Sequence, residues 1–411
     1  MTITITKENW KELITLDQVE EILGQTIKKD SSNKLITFLC LLSSYTQSSQ
    51  FNISYNAPSS SGKSYIPLEI AKFFPSEDVL EIGYCSPTAF FHDVGKYDKE
   101  TKTCNIDLSH KIIIFLDQPH AQLLSRLRPI LSHDANQINL KITDKDQRFG
   151  LRTKNVSIKG FPSVIFCTAG LGIDEQEATR FILLSPDIDQ VKLEQSIYEV
   201  AKKESDGEAY NDALNNSPLR QTLVQRIFAI KKENIRTIKI NSENEIVERF
   251  LSTKTLLKPR HQRDIKRIFS IIKSIALLNC WHRECVNHSI TANNDDINAA
   301  FKLWESIAKS QELNLPGYIY DIYDKVILPT WSDKTSSSKH TQGLTRQEIM
   351  KAHFATYGRL PDEYQLRQQI LPMLEMAGLI QQIPDLNDRR KILIKPSDNN
   401  SESTIGVHKE K

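Results

Sequence analysis

The sequence lacks the features that mark membrane and secreted proteins. None of its 411 residues fall in an apolar run of about 18 or more, the length of a membrane span. Its first residues, MTITITKENWKEL, lack the basic, apolar and small-residue succession of a secretion signal. It has six cysteines, most of them inside apolar segments, which is not the pattern of a disulfide framework. These absences predict a protein of a reducing, cytoplasmic compartment that has no membrane partner.

The sequence also lacks an excess of charge of one sign. The 53 Lys and Arg residues nearly balance the 51 Asp and Glu residues, giving a net charge of +2. The net charge therefore does not indicate a nucleic-acid partner, and any affinity for nucleic acid must come from local patches of positive charge. An apolar content of 39% with 25% charged residues is typical of a globular protein. The length allows two or three domains.

One stretch, FNISYNAPSSSGKSYI, has the order strand, loop and helix. Its loop matches the phosphate-binding pattern G-x-x-x-x-G-K-[ST] except at the first position, where Ala57 replaces glycine. Backbone N–H groups of such a loop form a concave anion site at the start of a helix. We predict that Lys63 contacts the outer phosphates of a nucleotide and that Ser64 coordinates Mg²⁺. The expected cofactor-binding residues are Ala57, Pro58, Ser59, Ser60, Ser61, Gly62, Lys63, Ser64 and Tyr65.

Short apolar runs alternate with helical or loop stretches between residues 51 and 190. The candidate strands are 51–55, 79–83, 111–116, 163–168 and 181–185. Continuous runs of Ile, Val, Leu and Phe are typical of strands that are covered on both faces. We therefore predict an α/β core with a five-stranded parallel sheet flanked by helices. Ligands of such sheets bind at the carboxyl ends of the strands.

Asp117 follows the third of these strands directly, in the segment KIIIFLDQPH. An acid at that point holds Mg²⁺ in phosphate-loop ATPases. Many such enzymes have a glutamate next, but here Gln118 follows, and an amide orients water without accepting its proton. ATP hydrolysis is then either slow or uses another acidic residue as its general base. The sequence does not choose among the candidate bases Asp134, Asp174, Glu175 and Glu177.

Three further polar residues are candidates for catalysis. Thr168 ends the fourth strand, where it can contact the γ-phosphate or the attacking water. Arg180 precedes the last strand, where it can reach the nucleotide of a neighbouring subunit and neutralise transition-state charge. Arg263 begins the longest of the helices predicted in residues 190–330, where it can face a phosphate.

Two basic regions are candidates for DNA binding. Residues 138–160 alternate apolar and polar residues around a charged centre, which predicts a β-hairpin. Its cations suit either a phosphate backbone or a solvated surface. Residues 344–396 predict helices and a two-stranded wing, a winged-helix domain that contacts either DNA or protein. The expected DNA-contacting residues are Lys141, Lys145, Arg148, Arg152, Lys154, Arg367, Arg389, Arg390 and Lys391.

The predicted organisation has six parts. A helical lead-in at 1–48, packed beside the first strand, precedes an ATPase core at 49–190 and a helical region at 191–330. These are followed by a linker at 331–343, the winged helix at 344–396 and a disordered tail at 397–411.

Together, APSSSGKS, IIIFLDQ, FCTAG, EATRFILLSPD and RDIKRIFSIIKSIALL resemble in their order the motifs of the AAA+ ATPases. The closest resemblance is to minichromosome-maintenance-type helicases and their relatives in mobile elements. It implies ATP and Mg²⁺ as cofactors, a helical lid, Arg180 as an arginine finger and Arg263 as a sensor-two residue. It also implies a homo-oligomer, expected as a hexameric ring, that acts on DNA as a helicase or replication initiator beside a partner such as a primase.

The chain departs from that family at two points. Gln118 replaces the family's glutamate, and the amino-terminal segment is too short for the family's DNA-binding collar. The alternative function is a nucleotide-switched regulatory or assembly protein with weak ATPase activity and no unwinding. A third alternative, a small-molecule kinase, is disfavoured by the basic hairpin and the finger-like arginine.

Overall fold

A computed structural model describes residues 9–87, 95–101, 103–144, 152–168, 179–337, 342–386 and 388–397. The chain divides into two compact units. The first contains the residues up to Asp187 together with Val191–Lys309, and the second contains Ile188–Gln190 and the chain from Ser310 onwards.

Strands and helices alternate through most of the first unit. The strands of both units are β1 (Ile53–Asn56), β2 (Val79–Ile82), β3 (Lys96–Asp98), β4 (Thr103–Asp107), β5 (Ile112–Phe115), β6 (Gln137–Asp144), β7 (Arg152–Lys159), β8 (Ser163–Thr168), β9 (Ile182–Leu184), β10 (Thr237–Lys239), β11 (Cys285–Val286), β12 (Ser289–Thr291), β13 (Ile380–Pro384) and β14 (Ile392–Pro396). The α-helices up to the end of the first unit are α1 (Leu16–Gly24), α2 (Ser31–Ser43), α3 (Tyr65–Ala71), α4 (Ala121–Leu131), α5 (Gln190–Ser205), α6 (Gly207–Asn215), α7 (Pro218–Glu233), α8 (Glu243–Ser252), α9 (His261–Leu278) and α10 (Asn294–Glu312). None of the described helices has both the length and the apolar character needed to cross a bilayer.

The predicted five-stranded parallel sheet is confirmed. Its strand order is β2-β5-β8-β1-β9, and every neighbouring pair is parallel. The phosphate-loop strand β1 therefore lies inside the sheet, with Ile53 opposite both Ile165 and Ile182. All residues of β1, β5, β8 and β9 are buried, as the continuous apolar runs predict.

The amino-terminal helices belong to the core of the first unit. Eleven of the thirteen residues of α2 are buried. The hydroxyl groups of Thr37 and Tyr55 are 2.8 Å apart, and Cys40 Sγ donates to the carbonyl of Phe51. Helix α9 packs against α2 within the same cluster of apolar side chains. Helix α2 lies within the segment predicted as a helical lead-in at 1–48, and it packs beside β1 and covers one face of the sheet.

A second sheet has the order β3-β4-β7-β6. Its β6–β7 pair is the predicted antiparallel hairpin, with Ile138 opposite Ile158. Strands β3 and β4 were not predicted, although Cys104 and Ile106 of β4 alternate as buried residues with exposed polar ones. The region expected to be wholly helical also contains a small sheet, β10-β12-β11.

The second unit begins earlier than the sequence predicts. Residues 331–337 continue a helix, α12 (Leu328–Ser337), which a π-helical segment joins to the helix α11 (Gly317–Ile322). The predicted linker is thus helical over these residues, because a polar surface alone does not exclude a helix.

The carboxyl-terminal elements follow the predicted order of helix, helix and strand pair. Helix α13 (Arg346–Tyr357) begins at Thr345, which forms a capping box with Glu348. Helical residues 363–376 end before Gly378, which has a φ angle of 74°. Strands β13 and β14 pair antiparallel, and residues 385–391 join them.

Candidate nucleotide site

The predicted phosphate loop follows the central strand β1. Two of its residues have positive φ angles, 63° at Ser60 and 91° at Gly62. A Cβ atom at Gly62 would meet nothing within 4 Å, so glycine suits this position for its backbone conformation rather than for space. The Nζ atom of Lys63 lies 3.5 Å from the carbonyl oxygen of Pro58. The lysine thus folds back over a turn of the kind that binds anions.

The two ends of the loop differ in their surroundings. Ala57, in place of the first motif glycine, is fully buried, and its N–H donates to the carbonyl of Thr168 at 3.3 Å. At the other end, the Tyr65 hydroxyl donates to the carbonyl of Thr26 at 3.2 Å. Helix α3 has only seven residues. The loop and Lys63 therefore carry more of the expected anion binding than the helix does.

Cys167, at the end of β8, is the point where the predicted nucleotide-binding residues meet. Its Sγ donates to the carbonyl of Lys63 at 3.3 Å. Burial raises the pKa of the Cys167 thiol to about 11; a hydrogen bond with Ser64 and the charge of Lys63 act in the lowering direction, and the charge of Asp117 acts in the raising direction. The thiol is thus hydrogen-bonded to Lys63 and Ser64, whereas Asp117 acts on it through charge. The strand order explains this, because β8 lies between β1 and β5.

Gln118, which follows β5, contacts Thr168, the last residue of β8. The hydroxyl of Thr168 donates to the side-chain oxygen of Gln118 at 3.2 Å. The backbone N–H of Gln118 donates to a carboxylate oxygen of Asp117 at 2.7 Å. Asp117 and Gln118 are exposed, whereas Thr168 is buried. Thr168 therefore contacts the Gln118 amide directly, where the sequence predicted a contact with phosphate or water.

The donor set of the site fits Mg²⁺. Ser64 offers a hydroxyl and Asp117 a carboxylate, and Mg²⁺ is usually held by one or two carboxylates together with substrate phosphates and waters. Within the described residues, no group of three or more His, Cys, Asp or Glu side chains is placed to hold a metal ion. The two protein ligands thus suit an ion that arrives with a nucleotide.

Asp134 is the one alternative base among the described residues, and it lies away from the phosphate loop. Asp134 follows α4, where its N–H donates to the carbonyl of Pro129 at 2.8 Å. Its neighbour His133 lies at the amino end of the sheet. The candidates Asp174, Glu175 and Glu177 lie outside the described residues.

Arg180 and Arg263 meet at the amino end of the main sheet. Nε of Arg180 donates to the Ser132 hydroxyl at 2.8 Å, and Arg263 donates to the hydroxyl of Thr179. Both arginines line a pocket of about 90 Å³, which Asn52, just before β1, also lines. The other lining residues are Gln50, Phe51, Leu131, Ser132, His133, Thr179, Lys266, Arg267 and Ser270.

This basic pocket and the phosphate loop lie at opposite ends of β1. The N–H of Ile182 donates to the carbonyl of Asn52 at one end, and Ala57 pairs with Thr168 at the other. Asn52 and Ala57 are five residue steps apart along extended chain, roughly 16 Å at the rise of a β-strand. Arg180 therefore lies farther from Lys63 of its own chain than one side chain can reach.

The predicted DNA-contacting residues are spread over both units. Lys141 is exposed on β6, and β7 begins at Arg152 and includes Lys154; Lys145 and Arg148 lie outside the described residues. In the second unit Arg367 is exposed within the helical stretch 363–376. The turn between β13 and β14 holds three exposed cations, Arg389, Arg390 and Lys391.

Sequence reasoning missed Cys167, Lys266 and Arg267. Cys167 gave no local signal, because its role depends on strand order. The two cations on α9 follow Arg263 at spacings of three and four residues, which places all three on one helical face. That spacing could have predicted a basic surface on α9, which is the helix that lines the basic pocket.

No family model matches this chain, and no curated protein is significantly similar to it.

Proposed function

We propose that the protein is an AAA+-type ATPase that forms oligomers, and that it resembles the minichromosome-maintenance-type DNA motors. In this proposal, the helices after the main sheet form its lid and residues 344–396 form a winged helix. The single observation that carries the proposal is the placement of the phosphate loop and the arginine pair at opposite ends of β1. A nucleotide held by Lys63 of one chain would meet Arg180 and Arg263 only from another chain.

The roles of the residues follow from their positions. Lys63 would contact the outer phosphate oxygens, and the loop N–H groups would bind the inner ones. Ser64 and Asp117 would hold Mg²⁺, which supplies positive charge to the phosphate oxygens when it is bound. Gln118, oriented by the Thr168 hydroxyl, would align the attacking water. Arg180 from the neighbour would neutralise charge that develops in the transition state.

DNA is the proposed substrate of the motor. The turn between β13 and β14 offers Arg389, Arg390 and Lys391, and β6 offers Lys141. Such cations bind phosphate backbones through charge, without reading sequence. A hexameric ring and a primase partner remain expectations from the resemblance.

One observation favours a second function, that of a nucleotide-operated switch with slow turnover. Gln118 accepts a hydrogen bond from Thr168 at 3.2 Å and has no carboxylate with which to take a proton from water. Such a protein would assemble on binding ATP and disassemble slowly.

Mixing two inactive variants tests the shared site. Lys63→Ala chains keep their Arg180, and Arg180→Ala chains keep their Lys63. Each variant alone is expected to hydrolyse little ATP, and the mixture is expected to regain activity, because one class of mixed interface has both residues. A mixture of Lys63→Ala chains with Lys63→Ala/Arg180→Ala chains is the control and should stay inactive. Full activity of Arg180→Ala alone would contradict the proposal.

A further inference from the structure

The basic pocket at the amino end of the main sheet concentrates positive charge. Arg180, Arg263, Lys266 and Arg267 all line it, and none of its described lining residues is acidic. Cations at such spacings on one helix repel each other and destabilise it. A pocket with this composition is therefore suited to an anion.

The acid Asp264, on the same helix as three of these cations, is already engaged. Asp264 accepts hydrogen bonds from Arg267 at 2.7 Å and from Arg260 at 3.2 Å. The side chains of all three residues are nearly fully buried. Asp264 therefore compensates two buried arginines, whereas the exposed side chains of Arg263 and Lys266 form no ion pair with another described residue.

Arg267 fixes one wall of the pocket. Its Nη2 donates to the carbonyl of Thr179 at 2.7 Å, while its Nη1 binds Asp264. The turn that carries Arg180 is thus tied to α9 by a buried guanidinium. The pocket is built before any ligand arrives.

Lys266 faces the same space. It lines the pocket together with His133, and burial followed by the charge of Lys266 lowers the pKa of His133 to about 4. His133 is therefore neutral near pH 7 and adds no further positive charge. Of the pocket's cations, Arg263 and Lys266 have the most exposed positions.

The size of the pocket limits the ligand. Its volume is about 90 Å³. That space suits a phosphoryl group, whereas pockets for whole small molecules usually exceed about 300 Å³.

We propose that this pocket is a preformed site for the terminal phosphates of a polyphosphate, in which Lys266 binds phosphate beside Arg180 and Arg263. The identification of that anion as a neighbouring subunit's nucleotide rests on the proposed function. Lys266 then gives the shared site a third cation from the second chain.

The test uses inorganic tripolyphosphate and full-length chains that carry Lys63→Ala, which removes the main contact at the phosphate loop. Isothermal titration should detect binding to this variant. Adding Lys266→Ala should weaken binding about tenfold, the equivalent of one charge-assisted hydrogen bond. Adding Lys232→Ala, at an exposed lysine of α7, is the matched control and should leave the affinity unchanged.

The outcomes separate this inference from the proposed function. If Lys63→Ala does not bind tripolyphosphate, or if Lys266→Ala does not weaken the binding, the pocket is not the proposed anion site. If binding depends on Lys266 but the natural protein neither hydrolyses ATP nor regains activity in mixtures, the anion site stands and the ATPase proposal fails. Lys266→Arg should bind tripolyphosphate as the unsubstituted residue does. If Lys266→Arg fails to restore binding, and Lys266→Ala also unfolds more easily, Lys266 has a structural role and the inference is overturned.

Discussion

The hydroxyl of Thr168 donates a hydrogen bond to the side-chain oxygen of Gln118, with the two oxygens 3.2 Å apart. Thr168 ends β8 and Gln118 follows β5, and these strands are parallel neighbours, so the sheet aligns the two residues. A glutamate at position 118 would place a carboxylate in the same position, and that carboxylate could accept a proton from water. The rate of ATP hydrolysis should therefore depend on whether residue 118 is a glutamine or a glutamate.

Gln118→Glu is expected to raise the single-turnover rate of ATP hydrolysis by about 10²-fold or more, the usual contribution of a general base. Rapid-quench measurement of phosphate release checks this. Gln122→Glu makes the same chemical change at an exposed site on α4 and should leave the rate unchanged. A natural protein that is already fast, and no faster with glutamate, would contradict the role of Gln118.

Lys63→Ala is expected to abolish stabilisation of the protein by ATP. A ligand present at 100 times its dissociation constant adds about 2.7 kcal/mol to the free energy of unfolding, and this gain should vanish in the variant. Thermal unfolding with and without Mg²⁺ and ATP measures it. Lys72→Ala is the control, because Lys72 pairs with Glu69 just beyond α3 and has a side chain that is 58% exposed. Equal stabilisation of both variants would place the nucleotide elsewhere.

His133 should make stability depend on pH. Burial, and then the charge of Lys266, lowers its pKa from 6.5 to about 4 in the folded chain. Between these values the unfolded chain binds more protons, so His133 lowers the free energy of unfolding as the pH falls from about 6.5 to 4.

His133→Asn should lessen this pH dependence. Asparagine tolerates the positive φ angle of 58° at that position and does not titrate. Urea unfolding at pH 7 and pH 5 compares the two proteins. An equal loss of stability in both would show that His133 titrates normally in the folded chain.

The turn between β13 and β14 should carry a salt-dependent share of DNA binding. Replacing Arg389, Arg390 and Lys391 by alanine is expected to lower the slope of log affinity against log salt by about 2 to 3, since each lost phosphate contact removes about 0.9. Fluorescence anisotropy with duplex DNA at several salt concentrations measures the slope.

A second triple variant controls for the loss of charge. Lys232, Lys302 and Lys309 are exposed lysines of the helices α7 and α10. Their replacement by alanine removes the same charge and should leave the slope nearly unchanged. Identical slopes for the two triple variants would indicate that the turn does not contact DNA.

Local sequence patterns predicted the main sheet and its loop because each depends on short-range information. Continuous apolar runs indicate buried parallel strands, and the phosphate motif fixes its own turn at Gly62. The meeting of Cys167 with Lys63 and Asp117 was not predictable, because it depends on β8 lying between β1 and β5. Strand order is set by packing over the whole unit, which no single segment encodes.

Two other differences have local causes. Strand β4 was missed because its apolar residues, Cys104 and Ile106, are only two among polar ones. By contrast, α2 agrees with its apolar run LITFLCLL, which is typical of a helix that is covered all round. The linker at 331–343 was predicted from its polar residues, but residues 331–337 lie on helix α12.

The burial of α2 limits how this protein can be shortened. A fragment that starts at Phe51 would contain every motif of the nucleotide site, yet it would leave the sheet face beneath Thr37 and Cys40 open to water. Such a fragment should aggregate during expression, because a broad apolar surface would be left without its cover. Minimal active versions of the chain must therefore retain α2, and peptides containing α2 supplied separately should rescue the solubility of the shortened chain.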